Sequence, residues 1–189
     1  HTPLHKLFTW STRNQSRGED HVACFELLLR YGADVNAMDQ DGSTALNYLT
    51  AGGTTGQWVE RLINAGADVR VASRTTGATT LHRAAFNGNC DVVRLLIRAG
   101  AALDAVNVDG HTPLEHAITA PFLFNNHRTY PILLRAGARL PDLDSIYHIK
   151  LISDTHPGLP YLRKVRAAGS FANYERLHLD KLVLMLTPR

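Results

Sequence analysis

The sequence predicts an all-α fold, an α-solenoid of four stacked helical pairs closed by a C-terminal helical cap. Two independent landmarks predict it. The first is an apolar run ending in glycine. Leu27-Leu28-Leu29-Arg30-Tyr31-Gly32-Ala33-Asp34-Val35 returns as Leu62-Ile63-Asn64-Ala65-Gly66-Ala67-Asp68-Val69, then as Leu95-Leu96-Ile97-Arg98-Ala99-Gly100-Ala101 and Leu133-Leu134-Arg135-Ala136-Gly137-Ala138. Gly32, Gly66, Gly100 and Gly137 lie 34, 34 and 37 residues apart. The second landmark is Thr2-Pro3-Leu4-His5, Thr44-Ala45-Leu46-Asn47, Thr79-Thr80-Leu81-His82 and Thr112-Pro113-Leu114-Glu115. A unit of roughly 33 residues cannot bury its own apolar surface, so it needs a copy on each side.

Residues 79–105 form the clearest unit. Thr79 opens a helix with apolar positions at Leu81, Ala84 and Ala85, and Gly88 stops it. A second helix carries Val92, Val93, Leu95, Leu96 and Ile97 on one broad face and ends at Gly100. In the first unit (about 1–37) Pro3 sits at a first-helix position, where its missing N–H costs little. Residues 11–19 then read as a polar exposed loop. The second unit (38–73) has a flexible joint at residues 51–56, followed by a helix over 57–65 with Trp58, Leu62 and Ile63 inward. The third covers 74–106 and the fourth 107–140, with Pro131 opening its second helix. From Thr landmark to Gly landmark the units measure 30, 22, 21 and 25 residues, so the first and fourth carry inserts between their helices. The connectors at residues 36–42, 71–77 and 104–110 each end at a glycine, as a tight hairpin turn with positive φ requires.

The T-P-L-H signature and the glycine landmark, at this period, resemble the ankyrin repeat over about residues 1–140. The resemblance implies short β-hairpin-like inter-repeat loops projecting like fingers from one edge of the stack. It implies that the imidazoles of His5 and His82 serve hydrogen bonds between neighbouring repeats. It further implies non-catalytic recognition of protein partners through the hairpin tips and the concave face. Mapped residue by residue, the partner-binding positions are Gln40, Asp41, Ser43, Ala51, Gly52, Thr75, Thr76, Ala78, Phe86, Asn87, Val106, Val108, Asp109, His111 and Thr119. Phe86 has two readings: an aromatic interface anchor, or a filler beside the insert of the second repeat.

After Pro141 the periodicity stops. Residues 142–158 read as a connector with a short helix or turn near 146–152, and helices follow over 160–168 and 171–186, closed by Gly169 and Pro188. They can cover the open face of the fourth repeat, as a terminal cap must. Residues 182–186 are apolar on every side. The basic residues, Arg163, Lys164 and Arg166 among them, read as a solvated helix face, with a phosphate or anionic-lipid contact as the alternative, and together with Leu182 and Met185 they are the candidate second contact. With its Arg-Lys-Val-Arg-Ala-Ala-Gly and Tyr-Glu-Arg-Leu-His runs, the tail resembles C-terminal extensions of ankyrin-rich proteins of unicellular algae. Leu159-Pro160-Tyr161-Leu162 resembles a box motif of ubiquitin-ligase substrate adaptors.

Composition narrows the function. A 44% apolar, 20% charged chain is that of an ordinary folded protein, and a net charge of +3 is too small to call for nucleic acid. No apolar run reaches the ~18 residues of a membrane span, so membrane insertion is not expected. His1-Thr2-Pro3 falls inside a repeat motif, so the sequence reads as part of a longer chain. Cys24 and Cys90 fall in second helices of different repeats as inert packed thiols, which fits a reducing intracellular compartment. Ten histidines invite a metal, but His111 and His116 are five apart and off a common helical face. Cys90, eight residues after His82, has no third ligand nearby. Gly52-Gly53 with Gly56 lacks the preceding strand and the Lys of a phosphate loop. The expectation is no enzyme, no cofactor, no metal and no small-molecule substrate. The leading function is a scaffold or adaptor, with a permanent subunit of a large assembly and a ubiquitin-ligase substrate adaptor as alternatives.

Overall fold

Helix starts and stops fall where the two landmarks put them. The computed structural model describes residues 2–13, 19–49, 56–120, 126–143 and 158–186, and in 9–13, 19–20 and 180–186 the backbone alone. Four helical pairs follow one another: α1 (Pro3–Arg13) with α2 (Glu19–Arg30), α3 (Ala45–Leu49) with α4 (Gly56–Asn64), α5 (Thr80–Phe86) with α6 (Cys90–Arg98), and α7 (Pro113–Ile118) with α8 (Tyr130–Arg135). A 3-10 turn, Asn126–Thr129, leads into α8. Two further helices close the chain, α9 (Leu159–Ala167) and α10 (Phe171–Leu186).

Local chemistry fixes these boundaries. Thr112 caps α7 in a reciprocal box, its Oγ1 accepting from the Glu115 N–H at 3.3 Å while Glu115 Oε2 accepts from the Thr112 N–H at 2.7 Å. Asn89 caps α6 through the Val92 N–H. Each pair ends at a glycine with positive φ, 78° at Gly32, 89° at Gly66, 82° at Gly100 and 103° at Gly137. The Ala101 N–H then returns to the Leu96 carbonyl, which satisfies an orphan acceptor of α6.

Stacking buries the apolar faces in one continuous cluster. α1 packs on α3, α5 on α7, α4 on α6 and α6 on α8. The residue four before each landmark glycine lies in it, with Leu62, Leu96 and Leu133 fully buried and Leu28 packed against it from the edge. Phe8, Phe25 and Trp58 meet with ring centroids 5.5–6.1 Å apart, which locks the first repeat to the second. The tail joins the same cluster through Leu159, Leu162 and Val165. α10 lies against α8, where Glu175 pairs with Arg135. Gly158 sits against the Tyr130 ring, so close that a Cβ there would collide with it.

Several details differ from expectation. Ser11, Thr12 and Arg13 belong to α1 rather than to a loop, because extending a formed helix adds one hydrogen bond per residue fixed. Residues 14–18, the joint at 51–55, the insert at 121–125, the expected turn at 146–152 and Pro188 lie outside the described residues, as do the side chains of Leu182 and Met185. Cys24 is exposed and Cys90 half-buried, so neither is a core thiol. Trp58, Val92 and Thr129, the counterparts of Cys24 in the later repeats, are all buried, and Trp58 meets Phe8 and Phe25 of the preceding pair. No described helical pair lies on that side of Cys24. The inter-repeat loops form no strand among the described residues, and a single antiparallel bridge joins Ala72 and Thr79. No described helix is long and apolar enough to cross a membrane.

Candidate protein-binding face

The three connectors share one scaffold position. Asp39, Ser73 and Asn107, each 34 residues apart, are buried at the base of successive hairpins. Asp39 Oδ1 accepts from the N–H groups of Asp41 and Ser43, both at 2.9 Å. Asn107 Oδ1 does the same for Asp109 at 3.0 Å and His111 at 2.9 Å. Ser73 is too short for that loop and instead donates to the Asp41 carbonyl of the neighbouring hairpin at 3.2 Å. The hairpins are also tied sideways through the backbone. The Arg74 N–H donates to the Asp41 carbonyl at 2.8 Å, and the Val108 N–H to the Thr76 carbonyl at 3.0 Å. Gly77 makes the second tie possible, because at φ 63° a Cβ would stand 2.9 Å from the Val108 nitrogen. Side chains at the hairpin bases and backbone bonds between hairpins together hold the tips in a row.

Asp39 also anchors Tyr48, whose hydroxyl donates to Oδ2 at 2.6 Å. Burial by itself would raise Asp39, but donation from Tyr48 and from the Ser43 and Asp41 N–H groups holds it below the ordinary carboxylate range. The same bond, with burial, pushes the Tyr48 phenol up to about 12.

The residue three after each landmark Thr links the inner helices. His82 Nδ1 accepts from the Thr79 N–H at 3.1 Å, so the proton sits on Nε2, which donates to the His111 carbonyl of the next hairpin at 3.0 Å. Burial pushes His82 down to about 4. His5 makes the equivalent reach to the Ser43 carbonyl at 2.8 Å. These are the inter-repeat bonds that the resemblance implies. Asn47 plays the part in the second repeat, with Oδ1 on the Thr44 N–H at 2.8 Å and Nδ2 on Thr80 Oγ1 at 3.0 Å. Glu115 has no N–H to pass forward and only caps its own helix.

Beside this row, Arg83, Phe86, Asn87 and His116 line a shallow cleft of about 220 Å³. The Phe86 and His116 rings lie 4.9 Å apart at 36°, and His82 stands 5.9 Å from His116. Burial holds His116 below its ordinary value, and its Nδ1 is buried with no hydrogen-bond partner. Of the two readings of Phe86, its ring contact with His116 places it in this cleft, on the surface of the third and fourth pairs.

Gln40, Asp41, Thr75, Thr76, Val106, Val108 and Asp109 are exposed, and Phe86, Asn87 and His111 partly so. Ser43 and Ala78 are a correction: both are buried at the hairpin base, where the Ser43 N–H serves Asp39 and its carbonyl receives His5. Thr119 turns its hydroxyl onto the His116 carbonyl, and Ala51 and Gly52 lie outside the described residues. The sequence reading did not name Arg83 and weighed His116 only as a metal ligand. Arg83, three before Phe86 on one helical face, carried the available signal. Arg163, Lys164 and Arg166 are exposed on α9, with Arg166 at 3.6 Å from Asp142. Leu159 and Leu162 are buried, which removes them as a free box motif. Among the described residues no three His, Cys, Asp or Glu side chains are grouped to hold a metal.

Comparison with known proteins agrees with this geometry. The family model for ankyrin repeats (3 copies) matches residues 14–107 and again 51–144, well over half of the chain. The chain is 39% identical over 127 residues to ankyrin repeat and SOCS box protein 16 of Mus musculus, covering 63% of this chain and 26% of that protein. It is 37% identical over 120 residues to the E3 ubiquitin-protein ligase Ufd4 of Drosophila melanogaster, covering 64% and 4%. A putative ankyrin repeat protein of fowlpox virus is 34% identical over 101 residues, covering 52% and 29%. The chain thus spans less than a third of each of these relatives. Ankyrin repeats are a non-catalytic protein-interaction fold, and with its hairpin row and linked inner helices this chain belongs to the ankyrin-repeat family.

Proposed function

We propose that the chain is a scaffold or adaptor that grips a protein partner with its hairpin tips and concave face. In this reading repeats at about 1–37, 38–73, 74–106 and 107–140 supply the face, and residues 141–189 cap the stack. The observation that carries it is the exposure of Val106 (62%) and Val108 (66%) on a backbone pinned by hydrogen bonds. A β-branched apolar side chain held out to water on a rigid support gains its burial only on docking, about 1.5–3 kcal/mol if buried fully. The partner surface would also meet Gln40, Asp41, Thr75, Thr76, Phe86, Asn87, Asp109 and His111. The test is affinity purification with mass spectrometry on the full chain, comparing wild type with the double change Val106→Glu and Val108→Glu. Loss of the recovered partner at an unchanged melting temperature is expected. An undiminished partner would refute the reading.

A permanent subunit is the second reading, favoured by Leu177 and Leu179 of α10, 50% and 60% exposed. Sedimentation of the isolated chain separates the two. A transient adaptor stays monomeric, and an obligate subunit self-associates.

A further inference from the structure

The cleft beside Phe86 holds groups that the stack does not use. Arg83 makes no ion pair among the described residues. One turn along α5, Phe86 offers a ring already braced by His116. His116 turns one nitrogen toward the His82 backbone and its Nδ1 is buried, so its contribution to the cleft is the ring that backs Phe86. A cation and an apolar plate thus meet in about 220 Å³, room for one or two side chains. A guanidinium offers only donors, in a fork matched to a carboxylate.

We propose that the cleft formed by Arg83, Phe86 and His116 receives an acidic residue of the protein partner. The carboxylate sits on Arg83, and an adjacent apolar side chain lies on the Phe86 ring, which His116 backs. The surroundings limit where the acid can go. Arg83 and Phe86 lie on α5, which follows the middle hairpin of the row, and backbone bonds tie that hairpin to those carrying Asp41 and Asp109 on its two sides, so an acidic fingertip stands in the layer on each side of the cleft. Those tips repel a carboxylate and favour a basic residue on either side. Neighbouring helical layers are spaced roughly 8–10 Å apart, about three residues of extended chain. The recognised segment is therefore an extended one with an Asp or Glu flanked by Lys or Arg about three positions away. This deepens the concave-face reading and rests on it.

The test selects a random 12-residue peptide library, displayed on phage, against the full chain. Enrichment of Asp or Glu with basic residues about three positions to either side is expected. By fluorescence anisotropy on an enriched peptide, Arg83→Gln should weaken binding at least about tenfold, and Arg83→Lys less. Changing the peptide acid to its amide should match Arg83→Gln and add nothing to it. Thermal melts of the variants should match wild type. Peptides that lose affinity with Phe86→Ala but carry no acid and ignore Arg83→Gln overturn this inference and leave face recognition standing. Peptides indifferent to Phe86→Ala and Val108→Glu overturn both, and a selection that enriches nothing overturns the inference.

Discussion

Replacing His82 by Ala tests how the repeats are joined. The imidazole is 0% exposed and makes three bonds: Nδ1 takes the Thr79 N–H and pairs with the Thr79 hydroxyl, and Nε2 donates to the His111 carbonyl. Each is worth about 1 kcal/mol net, and each abandoned buried partner costs about 1–3 kcal/mol more. Some of that is recovered by relaxation, so His82→Ala should lose about 3 kcal/mol. His82→Asn should lose about half as much, because Asn47 already caps its own Thr from the same position. Urea unfolding reads both as a shift in midpoint at constant slope. The histidine also sets a pH dependence. Unfolded, it takes a proton near 6.5, and folded, it resists until about 4. The unfolded chain therefore binds more protons between these values, so stability is full above about 6.5 and falls as pH drops toward 4. At pH 5 the loss is about 2 kcal/mol, at about 1.36 kcal/mol per unit. His116, lowered by the same burial, steepens the slope. His82→Asn should flatten most of it. Equal midpoints for wild type and His82→Ala, or a wild-type midpoint constant from pH 7 to pH 5, would refute the reasoning.

Other perturbations separate packing from surface. Leu96→Ala, at a fully buried position, should cost about 2–5 kcal/mol. Arg94→Ala, which loses only an exposed pair with Asp91, should stay within about 0.5 kcal/mol; urea melts decide, and similar costs would mean that the register is misassigned. Gly66→Ala should cost about 1 kcal/mol for its positive φ, since its Cβ meets nothing. Gly77→Ala should cost at least about 1 kcal/mol more, because its Cβ pushes on the Val108 backbone. Thermal melts rank the two, and the Gly77 variant should also bind the partner less well, since it displaces a fingertip.

The array was legible because its cause is periodic. A helical pair that must bury one face shows that face every 33 or so residues, so Leu62, Leu96 and Leu133 announce themselves. The hairpin glycines were legible for a similar reason, since positive φ leaves few other choices. Cys24 was misread because the pattern reports the repeat, whereas burial depends on the neighbour. Ser43 and Ala78 were misread because mapping by family position treats a hairpin as uniformly exposed, while its base holds the turn. Arg83, and His116 as a cleft residue, were missed for another reason. They hold the same repeat position, four after Thr79 and Thr112, but a period marks the position without telling which side chains of neighbouring layers meet.

The way the repeats are tied bears on how a partner would be held. Each of two neighbouring hairpin pairs shares a backbone bond, Arg74 to Asp41 and Val108 to Thr76, and His5 and His82 add a side-chain tie from the preceding inner helix. None of these bonds uses a tip side chain, so Gln40, Val106 and Val108 can change without loosening the row. A row ordered before contact spares the partner the ordering cost of loops, roughly 0.5–1.5 kcal/mol for each side chain immobilised. Affinity differences among tip variants should then appear in dissociation rates at nearly constant association rates. The opposite holds for Gly77→Ala, which disturbs the support itself. Surface plasmon resonance on the Val108→Ala and Gly77→Ala variants distinguishes the two effects. If Val108→Ala slowed association as strongly as Gly77→Ala, the tips would have to order on binding, and the preformed row would be wrong.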